Sequence, residues 1–60
     1  MYAEILNTVI DNGRVQHAGD GYFVEESLIA EVRFEAKERG LNKEEIDKAV
    51  EFALAHTAIE

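Results

Sequence analysis

Few side chains in this sequence could take part in a reaction. Ser27, Thr8 and Thr57 carry hydroxyls that could act as nucleophiles, and His17 and His56 are the bases that could activate one. Such catalysis needs the base held against the nucleophile inside a pocket. No motif spacing joins these five residues, and a chain of 60 residues does not readily enclose a substrate-sized cavity. Metal chemistry is no better supplied. His17, Asp20 and His56 lack the spacing of a ligand set, and there is no cysteine. Asp20-Gly21 and Asp11-Asn12-Gly13 lack the ligand series of a calcium loop. No basic residue follows Gly13, Gly19 and Gly21 at the place a phosphate cradle requires. The expectation is a protein that is not an enzyme and uses no cofactor and no metal. His17 reads as a hairpin side chain, and His56 as a helix-end residue favoured by the helix dipole.

Binding is the chemistry left, and composition says what kind. The formal net charge is −7, from 13 acidic and 6 basic residues. Nucleic acid is bound through concentrated lysine and arginine, so the overall field opposes it. A basic protein surface would be attracted. The same acidity also keeps a small protein soluble. Disulfides, the usual staple of so small a core, are excluded without cysteine. Association is the staple that remains, and a homodimer is expected. No apolar run is long enough for a membrane span. Met1-Tyr2-Ala3-Glu4-Ile5 lacks the basic start and apolar stretch of a secretory signal. A cytoplasmic location is expected, which the absence of cysteine also fits.

The elements that position these groups follow from periodicity. Tyr2, Ile5, Leu6, Val9 and Ile10 share one face of a helix over 2–12, ended by Asn12-Gly13. Residues 14–25 read as a hairpin, with arms Arg14–His17 and Tyr22–Val24 joined by Ala18-Gly19-Asp20-Gly21. Over 26–39, strict alternation from Leu28 to Ala36 competes with a helical stripe. Helix is preferred for the segment's length, its residue propensities and its end at Gly40, with Ser27 as the expected N-cap. A last helix spans 43–56, started by a capping box of Asn42 and Glu45. Thr57-Ala58-Ile59-Glu60 reads as a frayed tail. The expected fold is one mainly α domain over 1–60, in the order α-β-β-α-α and dimeric. It consists of a helix, a short β-hairpin and an antiparallel helical hairpin.

Two aromatics stand outside the main apolar stripes. Phe34 projects beside Ala30, away from Leu28, Val32 and Ala36. Phe52 projects beside Ala49 and His56, on the flank of the Ile46, Val50 and Leu54 face. Within one copy, the first helix could cover Phe34 and the hairpin Phe52. Otherwise a second apolar face marks an interface. Phe34, Phe52 and Ala30 are therefore candidate contacts to a partner or a second copy. Tyr22 and Phe23 at the hairpin tip are two more, unless they fill the gap to the helices. Glu31, Glu38 and Glu51 are candidates for a charged rim.

Short resemblances point the same way. The run Glu35-Ala36-Lys37-Glu38-Arg39-Gly40-Leu41-Asn42-Lys43-Glu44-Glu45-Ile46 resembles the helical hairpin of the Sin-type anti-repressor and repressor dimerisation domain, over residues 28–51. That resemblance implies paired helical hairpins and a protein partner rather than DNA. Ile29 stands where that family usually has a large aromatic. Preceded by Tyr22-Phe23-Val24, the run is also similar to ribbon-helix-helix repressors, which read DNA from the ribbon. Tyr22-Phe23-Val24 has no lysine or arginine. The spacing of Ala36, Gly40, Leu41 and Ile46 resembles a DNA-binding helix-turn-helix, and residues 12–22 resemble a winged-helix wing. The acids of Lys43-Glu44-Glu45-Ile46-Asp47-Lys48 would face phosphates in such a complex. The expected function is a small acidic interaction module that binds and modulates another protein, as an anti-repressor, inhibitor or adaptor. The alternatives are a small dimeric transcriptional regulator of ribbon-helix-helix or helix-turn-helix type, and a DNA-mimicking inhibitor.

Overall fold

The computed structural model describes residues 1–59 and has the element order helix, strand, strand, helix, helix. Glu60 of the expected tail lies outside the described residues. Helix α1 runs Tyr2–Asp11 and buries Ile5, Leu6 and Val9, three members of its apolar stripe. Asn12 caps it, and Gly13 follows at φ +72, the left-handed turn that stops a helix.

The hairpin is shorter than expected and displaced along the chain. Strand β1 is His17–Gly19 and strand β2 is Tyr22–Phe23, paired antiparallel. Only Asp20 and Gly21 lie between them, both at positive φ, as a tight Asp-Gly hairpin turn requires. Arg14–Gln16 is therefore not a strand arm. Val15 turns inward and is 4% exposed, so burial of its side chain fixes this stretch together with the Val24 N–H, which donates across the hairpin to the Gln16 carbonyl at 2.9 Å.

The tail is a correction. Thr57–Ile59 was expected to fray, yet the Phe23 N–H donates to the Ala58 carbonyl at 2.9 Å and Ile59 bridges Phe23 in parallel. One edge of β2 is taken by β1, and the tail satisfies the other. Ile59 also packs against the core.

Helix α2 is Glu25–Glu38, with Val24 at the N-cap and no side-chain cap bond. The expected cap, Ser27, lies inside the first turn. Its Oγ instead accepts the Gln16 N–H at 2.8 Å, which ties the chain entering the hairpin to the helix. The junction to helix α3, Lys43–Ala55, has the geometry its residues imply. Gly40 sits at φ +83, its N–H donates to Lys37 and the Leu41 N–H donates to Ala36. That is a Schellman stop, with Leu41 folded back onto the core. Asn42 Oδ1 then accepts the Glu45 N–H at 2.9 Å, and Glu45 Oε1 accepts the Asn42 N–H at 3.0 Å.

The core is built where the three helices meet. Ile5, Val9, Leu28 and Val32 are its largest fully enclosed side chains. Ala36, Ala49 and Ala53 let α2 and α3 approach closely, and this pair packs most extensively. No polar or charged residue is buried among the described residues. Arg39 closes the far end, donating to Thr8 Oγ1 at 2.9 Å and to Glu35 at 2.8 Å. No helix among the described residues is long and apolar enough to cross a membrane.

Candidate interaction surface

Helix α2 has two faces, and its sequence separates them. Leu28, Val32 and Ala36 point at α1 and α3 and are 0% exposed. At ~100° per residue, Phe34 falls on the opposite side of the cylinder. Its ring is 54% exposed, on the far side of the helix from this stripe. Phe52 has the other fate. Tyr2 of α1 packs against it at 6.3 Å between ring centroids, and His56 stacks on it at 4.2 Å. Phe52 is thus half-buried within the chain. The single-copy arrangement offered by the sequence is altered: α1 packs on Phe52 through Tyr2, and Phe34 stays exposed.

The remaining candidates divide in the same way. Ala30 is exposed one turn before Phe34, with Glu31 half-buried beside it and Glu38 exposed one turn beyond. Glu51 is exposed on α3. Tyr22 is 45% exposed, whereas Phe23 turns toward the core and packs against His17, the two rings tilted and 4.6 Å apart between centroids. The structure therefore gathers Ala30, Glu31, Phe34 and Glu38 on the outer side of α2 and leaves Phe52, Phe23 and Glu51 elsewhere.

A groove at the hairpin end of this face was not foreseen in the sequence. Gln16 and Val24 form one wall, and Glu26, Ser27, Ala30 and Glu31 the other, around about 330 Å³ open to solvent. The sequence signal for it is the pair of glutamates bracketing Ser27 and Ala30. Its hairpin wall could not be read, because that wall depends on the Gln16–Ser27 bond. Among the described residues neither Glu26 nor Glu31 is in an ion pair. Arg33 and Arg39 are engaged elsewhere, with Asp47 and Glu35.

The reactive side chains remain apart. Ser27 Oγ accepts from Gln16, and Thr8 Oγ1 from Arg39. Thr57 Oγ1 is enclosed without a hydrogen-bond partner among the described residues. Both histidines lie against phenylalanine rings. Among the described residues no three histidine or carboxylate side chains are grouped as metal ligands. Compared with family models, curated proteins and solved structures, the chain matches none.

Proposed function

We propose that this chain is a small acidic interaction module of the cytoplasm that docks on another protein and modulates it, as an inhibitor, anti-repressor or adaptor does. One observation supports this above the others. Phe34 stands in solvent on a helix whose opposite stripe already completes the core. A half-exposed phenylalanine contributes little to a monomer's stability but is a strong anchor once a partner covers it. The surrounding acidity favours a partner with a basic surface.

Differential capture tests the proposal. Wild-type chain and Phe34→Asp are immobilised side by side and exposed to extract of the native host. The expected outcome is a protein held by the wild type and lost from the variant, while both baits give the same circular dichroism spectrum. Identical capture on the two baits would remove Phe34 as the anchor and the proposal with it.

A further inference from the structure

We infer that the groove between the hairpin and α2 takes an arginine-bearing apolar segment of the partner protein. The inference rests on the interaction role proposed above and adds the chemistry of the docked segment. Val24 and Ala30 are the groove's apolar lining, with Phe34 one turn further along the same helix face. Glu26 and Glu31 line its α2 wall, five residues apart and thus roughly 7.5 Å along the axis. No lysine or arginine lines it. Both carboxylates are without an ion-pair partner among the described residues, so an incoming cation displaces no existing bridge. A guanidinium bonds a carboxylate through two parallel N–H donors and also stacks on an aromatic face, and both kinds of partner are present here. A second copy of this chain fits the groove less well. It brings a further net charge of −7 toward two unpaired glutamates.

The test is an amide-resolved NMR titration of the full chain with two synthetic peptides. One alternates arginine and leucine, and the other has glutamate in place of every arginine. The arginine peptide is expected to shift the amides of residues 24, 26–31 and 34 saturably, and the glutamate peptide to leave them unmoved. The double variant Glu26→Gln/Glu31→Gln is expected to weaken binding by roughly threefold to tenfold, with a melting temperature that does not fall. Equal response to both peptides, or undiminished binding by the double variant, overturns the arginine assignment. If capture by wild type still depends on Phe34, the broader interaction role survives that failure. Shifts remote from the groove, or none at all, also overturn the inference. Sedimentation showing a dimer that Phe34→Asp converts to monomer assigns the face to a second copy and overturns it as well.

Discussion

At the scale of single residues, Ser27 and Gly40 show how much rests on one atom. An oxygen at a helix start usually accepts a first-turn amide, so in the sequence the Ser27 hydroxyl reads as a helix cap. It accepts an amide from 11 positions away instead, so its role is tertiary. Nothing in the residue type distinguishes these two uses. Ser27→Ala is expected to cost about 1 kcal/mol and to loosen residues 14–17, seen as faster hydrogen exchange at the Gln16 amide. Gly40 was legible because its requirement is local. At φ +83 any L side chain is strained, so Gly40→Ala is expected to cost roughly 1 kcal/mol in urea unfolding. Phe34 could be placed on a helix face from the sequence. Whether anything covered that face was a question about the path of α1, which periodicity does not carry.

At the scale of elements, the strongly periodic helices were readable and the hairpin was only partly so. The stripe of α1 and the capping box of α3 repeat a signal over several residues. Two strands of three and two residues repeat nothing, and the turn chemistry located them without setting their register. Asn42→Ala removes one of the two capping bonds and is expected to lower stability by about 1 kcal/mol, which in a domain of this size moves the melting temperature by roughly 4–8 °C. The tail packs where its sequence alone suggests fraying. Ile59 is the apolar residue of that stretch that could have signalled packing, and the edge of β2 it covers is visible only in the fold. Ile59→Asp is expected to destabilise the hairpin more than α3. Nuclear Overhauser contacts from residue 59 to Phe23 in the wild type, lost in the variant, would check this.

At the scale of the whole molecule, ten buried apolar side chains hold the described residues together. A core of this size supplies roughly 3–5 kcal/mol at most. Leu28→Ala opens a cavity where α2 meets the rest and costs ~2–5 kcal/mol, so the variant is expected to be largely unfolded at 25 °C by circular dichroism. Charge acts at this scale too. Three ion pairs, each at least partly exposed to solvent, do little to offset the excess of acid among the described residues. Moderate sodium chloride is expected to raise the melting temperature by screening that repulsion.

Whether Phe34 is surplus to folding decides whether its face is available to a partner. Equilibrium urea unfolding of wild type and Phe34→Asp, repeated over a hundredfold range of protein concentration, settles that point. Coincident midpoints that stay fixed across the range are expected, against the homodimer that the small core suggests, because the ten buried side chains close the core without the ring. A wild-type midpoint that climbs with concentration, or a variant that unfolds without denaturant, would show that the ring is already committed to holding the fold together.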